Sequence, residues 1–213
     1  MNRTKTAGIP TLKRMPLYLR LLKTIKADGS EYASGAFIAR ELGLDPIVVR
    51  KDLAITGVVG KPRLGFPTNE IILAINQFLG WTNRTDAVLA GAGALGSALL
   101  GYEGFKQHGL QIVAAFDADP KIVGSIVRSR EIMHISKLTE MAECMKIQIG
   151  ILTVPTEVAQ EVADAMIAGG IRGIWNFTPV KLNVPDYVVL QRQDLASSLA
   201  VLSHKLYLDA PEI

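Results

Sequence analysis

The segment DAVLAGAGALG, residues 86–96, predicts the fold of most of this chain. Residues 86–90 form a largely apolar run of strand type, which leads directly into the pattern G-x-G-x-x-G at Gly91, Gly93 and Gly96. An Ala- and Leu-rich helix follows. Between a strand and a helix, the first glycine permits a tight turn, the second leaves space for a pyrophosphate, and the third lets the helix pack on the strand. The segment therefore predicts the first βα unit of a dinucleotide-binding domain.

A second apolar strand, residues 111–116, ends at Asp117, which lies 21 residues beyond Gly96. Dinucleotide-binding domains carry the acidic residue for the ribose hydroxyls at about this distance. A carboxylate there repels a 2′-phosphate, and no arginine follows directly, so the sequence favours NAD(H) over NADP(H). The alternative for Asp117 is a turn or cap before Pro120, a role that Asp119 fits better.

Strands and helices continue to alternate along the rest of the chain. Buried-type strands are predicted at residues 147–154, 171–177 and 188–190, and an amphipathic helix at residues 156–168. This order predicts an α/β fold, a Rossmann-type doubly wound parallel sheet flanked by helices. Because ligands of such sheets bind beyond the carboxyl ends of the strands, the ends of two of these strands are expected at the edge of the cofactor.

The predicted cofactor-binding residues therefore come from the glycine loop, the acidic position and those strand ends. They are Gly91, Ala92, Gly93, Ala94, Leu95, Gly96, Asp117, Thr153, Val154, Pro155, Asn176 and Phe177.

The charge of the chain is divided unevenly along its 213 residues. Residues 1–80 carry 12 Lys and Arg against 6 Asp and Glu, a net charge of +6, whereas residues 81–213 carry 11 against 14, a net of −3. A basic first third joined to a mildly acidic remainder suggests two domains with different partners.

The basic third contains the pattern of a helix-turn-helix. Ser34 can cap a first helix, Gly43 ends it, and Asp45 and Pro46 are placed to be the N-cap and first residue of a second helix. An extended, basic Gly/Pro segment at residues 58–66 follows and predicts the wing of a winged helix. A further helix is predicted before them, at residues 16–27.

Basic and exposed residues of this region predict contacts with double-stranded DNA. The candidates are Arg14, Ser34, Pro46, Ile47, Arg50, Lys51, Lys61 and Arg63. Phosphate contacts are expected to outnumber base contacts for the cations of the second helix. The alternative is a small helical domain on which these cations are only a solvated surface.

Several function classes are disfavoured. Cys144 is the only cysteine, so no internal disulfide can form, and it is expected to be a buried structural thiol. No apolar run has the length of a signal peptide or a membrane span, which predicts a cytoplasmic protein with no membrane partner. The three histidines lack the spacing of a metal site, and no catalytic acid or base stands out, so no metal and no enzyme activity are expected.

Short motifs in a fixed order run through both predicted domains. They are Leu17-Tyr18-Leu19-Arg20, Val49-Arg50-Lys51-Asp52-Leu53, Gly60-Lys61, the loop at residues 91–96, Gly101-Tyr102-Glu103-Gly104-Phe105, Phe116-Asp117-Ala118-Asp119-Pro120, Ile151-Leu152-Thr153-Val154-Pro155 and Gly173-Ile174-Trp175-Asn176-Phe177. By their number and order, the chain resembles the Rex family of bacterial redox-sensing transcriptional repressors over residues 16–205.

The resemblance implies a homodimer that binds operator DNA and is released when NADH binds, so that it responds to the NADH/NAD⁺ ratio. It further implies that the C-terminal helix is domain-swapped onto the partner subunit. Tyr102 resembles the family's tyrosine near the nicotinamide, which adds it to the cofactor-binding set. Arg20 and Asp194 resemble the pair that links the DNA-binding domain to the last helix of the other subunit, and with Tyr102 they form the expected allosteric relay.

The expected domains are a winged helix at residues 1–80, a Rossmann NAD(H)-binding domain at residues 81–190, and a dimer helix with its tail at residues 191–213. The chain departs from the family pattern at Ile55-Thr56 and at Pro62-Arg63-Leu64, which leaves the operator sequence and the affinity for DNA open. Three alternatives remain at this point: an NAD-dependent oxidoreductase, a CoA- or nucleotide-binding module with a helical appendage, and a winged helix that binds a protein.

Overall fold

The computed structural model describes residues 7–208, and the chain divides into two compact units after Asn83. The elements of the first unit are α1 (Ile9–Ala27), β1 (Tyr32–Ala33), α2 (Gly35–Leu42), α3 (Pro46–Ile55), β2 (Phe66–Pro67) and α4 (Thr68–Phe78). Strands β1 and β2 pair antiparallel, and the segment between α3 and β2 forms the wing. The predicted winged helix-turn-helix is therefore confirmed.

Both helices of the helix-turn-helix begin where the sequence predicts, and the first also ends there. The Ser34 side chain accepts a hydrogen bond from the Phe37 N–H at 3.0 Å at the start of α2. Gly43 ends α2 in the left-handed conformation, with φ +62°, which glycine adopts without steric cost. Asp45 caps α3 by accepting from the Ile47 N–H at 2.6 Å.

The first helix is longer than predicted, because it begins at Ile9 and not at residue 16. Pro10 lies in its first turn, where a proline is favoured. Pro16 lies inside the helix and does not begin it. The buried residues Met15, Tyr18 and Leu19 flank that proline on the core side, so packing keeps the helix continuous through it.

One buried carboxylate joins α1 to α3. Asp52 is 3% exposed and accepts hydrogen bonds from Thr11 at 2.8 Å, Arg14 Nε at 2.6 Å and Tyr18 at 2.7 Å. Burial alone would raise the pKa of Asp52, but the hydrogen bonds from Arg14, Tyr18 and Thr11 outweigh it and hold the pKa below its usual value. Burial and the bond to Asp52 raise the pKa of Tyr18 to about 12.

The second unit is built around one sheet. Its elements are β3 (Thr85–Ala90), α5 (Ala94–Leu100), α6 (Gly104–Gln107), β4 (Leu110–Asp117), β5 (Ile126–Val127), β6 (Arg130–His134), α7 (Leu138–Cys144), β7 (Ile149–Leu152), α8 (Ala159–Ala168), β8 (Gly173–Asn176), β9 (Val189–Arg192) and α9 (Leu195–Leu208). The order across the sheet is β5-β6-β4-β3-β7-β8-β9. All neighbouring pairs are parallel except β5 and β6.

When β5 is set aside, the six parallel strands follow the order 3-2-1-4-5-6 of a dinucleotide-binding sheet. Buried side chains cover both faces of the sheet, with Phe116 on one face and Leu89 on the other. The predicted Rossmann-type architecture is therefore confirmed. The sheet reverses its strand order at β3, between β4 and β7, and this position defines the crevice in which ligands of such sheets bind.

The β5–β6 hairpin and helix α7 have no counterpart in the sequence prediction. The hairpin turn is formed by Arg128 and Ser129, both with positive φ, instead of the Asn or Gly that usually marks such a turn. Cys144 is exposed at the end of α7, so the expectation of a buried thiol is wrong. The buried face of α7 carries Leu138 and Ala142, and a residue two positions after Ala142 points away from it.

The last helix, α9, has an apolar surface that is open in the described chain. Leu199, Val201, Leu202 and Leu206 are each more than half exposed. Within residues 7–208, no helix has the length and apolarity that crossing a membrane requires.

The Asp52 cluster makes the stability of the first unit dependent on pH. A carboxyl whose pKa is lowered by folding stabilises the fold above its ordinary pKa of about 3.9, and this contribution disappears as the pH falls through the folded value. Asp52→Asn is therefore expected to lower the free energy of unfolding at about pH 7 and to lower it by less at about pH 3.

Urea unfolding followed by Trp81 fluorescence measures this difference. The chain has two tryptophans, and Trp81 packs on the core of the first unit, so a Trp175→Phe background isolates its signal. The same loss of stability at both pH values would contradict the expectation.

Candidate functional site

The glycine loop lies at the switch point of the sheet. Gly91 follows β3, Asp117 ends β4, and Thr153 follows β7. Since these three strands are neighbours and parallel, the three residues meet at one edge of the sheet. The sequence-predicted residues of the loop, the acidic position and one strand end are therefore brought together.

The surroundings of each glycine position in the loop explain why it is a glycine. Gly91 has φ +94°, and a Cβ there would lie 2.6 Å from the Thr153 carbonyl. A Cβ on Gly96 would collide with the carbonyl oxygen of Gly91. Gly93 has no atom within 4 Å of its Cβ position, so it borders open space, as a position that admits a ligand must. Ala94 and Leu95 follow it and are exposed at the start of α5.

Side chains fix the loop through its main chain. Asp117 Oδ2 accepts from the Ala92 N–H at 2.6 Å, and Thr153 Oγ1 donates to the Gly91 carbonyl at 2.7 Å. Ser97 Oγ donates to the Ala92 carbonyl at 2.7 Å. Ser97 was not predicted, because a serine in the first turn of an Ala-rich helix gives no signal of its own.

Asp117 also has the turn role that the sequence left open as an alternative. Its Oδ1 accepts from the Asp119 N–H at 2.9 Å, and Asp119 in turn accepts from the Lys121 N–H. Each carboxylate oxygen of Asp117 has one main-chain donor and keeps a second acceptor position. The carboxylate therefore supports the loop and can still accept from a hydroxyl.

A cavity of about 370 Å³ lies beside Asp117. Its lining residues are Gly91, Asp117, Ala118, Ile135, Ser136, Thr139, Val154, Pro155, Val158, Glu161, Val162 and Ala165. Val154 and Pro155 are where the sequence predicted them, at the crevice. Ile135, Ser136 and Thr139 were missed because they belong to a short 3-10 helix, Ile135–Lys137, and to α7, neither of which the sequence pattern reveals.

An aromatic row lies on the face of the sheet that α6 covers. The Tyr102 ring is edge-on to Phe105 at 4.9 Å, Phe105 meets Trp175 at 5.5 Å, and Trp175 meets Phe177 at 5.0 Å between ring centroids. Tyr102 is 59% exposed at the end of this row. Two predicted cofactor residues, Tyr102 and Phe177, thus belong to one aromatic cluster.

Asn176 is fully buried and holds the turn after β8. Its Oδ1 accepts from the Thr178 N–H at 2.8 Å and hydroxyl at 2.7 Å, and its Nδ2 donates to the Val180 carbonyl at 3.0 Å. The geometry explains an asparagine here without a ligand. A contact between Asn176 and a cofactor stays a prediction.

In the first unit, a groove of about 740 Å³ lies between α2, α3 and the wing. Five predicted DNA-binding residues line it, namely Ser34, Pro46, Arg50, Lys61 and Arg63. Ile47 and Lys51 are exposed on α3 outside this lining. The groove is thus basic and open, and it lies along the exposed face of the second helix of the helix-turn-helix.

Hydrogen bonds give the wing a fixed shape. Main-chain bonds between Lys61 and Gly65 close its tip, and Arg63 occupies the tip with φ +66°. Lys61 Nζ donates to the Tyr32 hydroxyl at 2.7 Å, and this bond raises the pKa of Lys61. The two wing cations are therefore presented from a defined turn.

The remaining predicted residues have other surroundings. Arg14 forms an ion pair with Asp52 at 2.6 Å, so its guanidinium is held inside the first unit, and its contact with DNA stays a prediction. Arg20 is exposed on α1. Asp194 caps α9 by accepting from the Ala196 N–H at 3.0 Å and the Ser197 hydroxyl at 2.9 Å, and the bond from Ser197 lowers its pKa.

Residues 7–208 contain no cluster of metal-ligating side chains.

The glycine crevice of the second unit and the basic groove of the first define a class of protein, the DNA-binding regulators in which a winged helix is joined to a dinucleotide fold. Family comparisons agree with both halves. The family described as "CoA binding domain" matches residues 82–180, and "Putative DNA-binding protein N-terminus" matches residues 9–54.

Relatives and solved structures identify the family. The chain is 48% identical over 202 residues to the redox-sensing transcriptional repressor Rex of Treponema denticola. The aligned residues cover 95% of this chain and 96% of the relative. RSP, a Rex-family repressor, is 30% identical in its complex with beta-NAD⁺ and operator DNA, with a TM-score of 0.89 over 95% of this chain and 93% of RSP. Its complex with beta-NADH gives 29% identity and a TM-score of 0.85 over 95% of each chain.

This chain belongs to the Rex family of redox-sensing transcriptional repressors. The relatives are named as repressors, so the oxidoreductase alternative is dropped.

The different surroundings of Gly93 and Gly96 predict different effects of alanine. Gly96→Ala is expected to destabilise the second unit by about 1–3 kcal/mol, because the added methyl group overlaps the Gly91 carbonyl. Gly93→Ala is expected to change stability by less than about 1 kcal/mol in either direction, since its φ of −63° is accessible to alanine but alanine is a poorer N-cap for α5 than glycine. The same Gly93→Ala change should weaken dinucleotide binding, because its methyl group enters the open side of the loop.

Thermal unfolding and NADH titration of the two variants measure both effects. A Gly93→Ala protein that binds NADH as the wild type does would remove this position from the site.

Proposed function

We propose that this chain represses transcription by binding operator DNA as a homodimer, and that NADH binding to its second unit releases it. The observation that carries the proposal is the presence, in one chain, of a basic winged-helix groove and an open glycine crevice at the switch point of a 3-2-1-4-5-6 sheet. RSP, a relative with this fold, has been solved with NAD⁺ and operator DNA and with NADH. The proposed compartment is the cytoplasm, where chromosomal DNA and NAD(H) meet in bacteria.

In the second unit, the proposed ligand runs along the crevice. The pyrophosphate lies over Gly93, where no side chain intrudes, and Asp117 accepts from the hydroxyls of the adenosine ribose. The apolar cavity beside Asp117 has the size and lining that suit an adenine ring. Tyr102, exposed at the end of the aromatic row, is the proposed contact of the nicotinamide.

In the first unit, the proposed DNA surface is the groove and the exposed face of α3. Arg50 and Lys51 would enter a major groove, and Arg63 at the wing tip would reach the adjacent minor groove. A net charge of +6 over residues 1–80 attracts the phosphate backbone.

Dimer formation is proposed through α9, whose apolar side chains are exposed in the described chain. An apolar helix face of this kind requires a partner surface, and the proposed partner is a second copy of the chain. Asp194 at the start of α9 and Arg20 of the other subunit would then connect the sensing and DNA-binding units. The boundaries at residues 80 and 190 stay a prediction; the second falls inside β9 (Val189–Arg192), and the proposed dimer helix follows that strand.

Regulation requires that NADH and NAD⁺ favour different states. The two molecules differ at the nicotinamide, which is a planar cation in NAD⁺ and neutral in NADH, and a ligand of equal affinity for both states would shift nothing. A dimer reads two half-sites at fixed spacing, so a small rotation between its winged helices prevents simultaneous contact. A coupling of about 1–3 kcal/mol, which corresponds to about 5- to 150-fold in affinity, is typical of such systems.

Titration of the protein–DNA complex tests the proposal. A DNA fragment from upstream of the protein's own gene is bound, and NADH, NAD⁺ and CoA are added separately. NADH is expected to release the DNA at lower concentration than NAD⁺, and CoA is expected not to displace bound NADH. Operator affinity that does not change over the physiological range of NADH would refute the sensor function, and displacement by CoA would favour the alternative of a CoA-binding module.

Asp117→Ala is expected to weaken the binding of both NADH and NAD⁺, because the ribose loses its acceptor and the Ala92 N–H loses its partner. Asp119→Ala is the matched control, since Asp119 is an exposed neighbour whose carboxylate accepts from the Lys121 N–H of its own turn. Nucleotide binding that is equal in the two variants would remove Asp117 from the site. Isothermal calorimetry gives both affinities.

Asp194→Ala is expected to retain NADH binding and to lose NADH-dependent release from DNA. The matched control is Ser197→Ala, which removes only the hydroxyl that donates to Asp194. Fluorescence anisotropy of labelled operator, with and without NADH, measures release. Loss of NADH binding itself would place Asp194 in the ligand site or in folding, and not in the relay.

A further inference from the structure

The inner face of α3 is held to α1 by one carboxylate. Asp52 directly follows Lys51 on α3 but points into the unit, where it is 3% exposed. Its donors, Thr11, Arg14 and Tyr18, all belong to α1. Their spacing along the chain places the three donors on one face of that helix.

Arg14 uses two nitrogens in this cluster. Nε donates to Asp52 Oδ2 at 2.6 Å and the terminal nitrogen Nη2 donates to Oδ1 at 3.1 Å. Both carboxylate oxygens are thus engaged by one guanidinium, a two-point contact that fixes orientation as well as distance. The side chain of Arg14 remains only 24% exposed.

We propose that Asp52 is a positioning residue for DNA binding, which fixes the rotation of α3 about its axis, and that Arg14 acts on DNA through Asp52 and not by contacting a phosphate. This inference rests on the proposed DNA-binding function of the winged helix. The cluster would set where the outer side chains Arg50 and Lys51 lie.

The size of the effect follows from helix dimensions. With side chains, a helix is about 10–12 Å across, so a rotation of about 20° moves its outer side chains by roughly 2 Å. Hydrogen bonds to base edges tolerate a few tenths of an ångström. The buried apolar residues of α3, Val49 and Leu53, contribute packing that is not directional. The directional bonds to Asp52 therefore define the rotation.

The cluster is also balanced in charge. Without Arg14, α3 would carry a buried negative charge next to its DNA-facing cations, and without Asp52 the Arg14 guanidinium would lose its partner. The pair adds no net charge to the DNA-binding unit. An arginine that neutralised a phosphate would instead be one more phosphate contact, and it would steepen the dependence of DNA affinity on salt.

Tyr18→Phe tests the inference most directly. Tyr18 is fully buried and cannot touch DNA, and the change removes one donor to Asp52 without altering any charge. We expect operator affinity to fall while affinity for unrelated DNA stays the same, because phosphate attraction does not depend on the rotation of α3. Loss of a whole base contact lowers operator affinity by about 5- to 150-fold. Because Tyr18→Phe only loosens the rotation of α3, the expected decrease in operator affinity lies within that range.

Arg14→Met, Asp52→Asn and the double variant provide the second test. Each single variant is expected to lower operator affinity, and the double variant is expected to be no weaker than the weaker single variant, because both changes remove the same contact. The double variant should keep the wild-type slope of log K against log salt. Lys13→Met, at an exposed cation of the same helix, is the matched control for charge.

Folding is checked separately from DNA binding. Each variant is measured at a temperature at which its Trp81 fluorescence is that of the folded protein, and its NADH affinity is expected to match the wild type.

A double variant whose salt slope falls by about 0.9 would show that Arg14 contacts a phosphate and would overturn the inference. Variants that lose unfolding stability but keep operator affinity would also overturn it, because the cluster would then serve only the fold. Failure of the wild type to prefer operator DNA would refute the proposed function itself.

Discussion

The close approach of the Gly91 turn to α5 and to Thr153 is the constraint on which the second unit depends. The turn brings the first strand of the sheet into the following helix with no space for a Cβ at Gly91 or Gly96. Thr153, at the end of the neighbouring strand, bonds the same turn. The crevice, the open side of Gly93 and the position of Asp117 all follow from this contact, because each is defined relative to the turn.

The sequence predicted those parts of the fold that local chemistry determines. Ser34, Gly43 and Asp45 mark helix ends by their own hydrogen bonds or backbone conformation, and the glycine loop is recognised by its place between a strand and a helix. The parallel, doubly wound character of the sheet followed from the alternation of strands with helices, whereas the order of its strands came from the structure. In each of these cases a few adjacent residues contain the whole physical reason.

Other features depend on residues that are distant in the chain, and the sequence did not reveal them. The cavity beside Asp117 is completed by Ile135, Ser136 and Thr139, which belong to a short 3-10 helix and to α7, and neither helix has a clear sequence pattern. Arg14 has the sequence appearance of a DNA-contacting cation, but its partner Asp52 lies 38 residues away. The turn held by Asn176 and the exposure of Cys144 likewise depend on packing that no local pattern contains.

The hydrogen bond between Asp117 and the Ala92 N–H has an evolutionary consequence. A substitution at position 117 that made room for a phosphorylated ribose would also leave that main-chain donor without its acceptor, at a cost of about 1–3 kcal/mol if it stayed buried. With the proposed role of Asp117 at the ribose, cofactor preference and loop stability are encoded in one side chain. A lineage that changed its cofactor would therefore need a second substitution to supply a new acceptor, which makes the present preference hard to lose by single mutations.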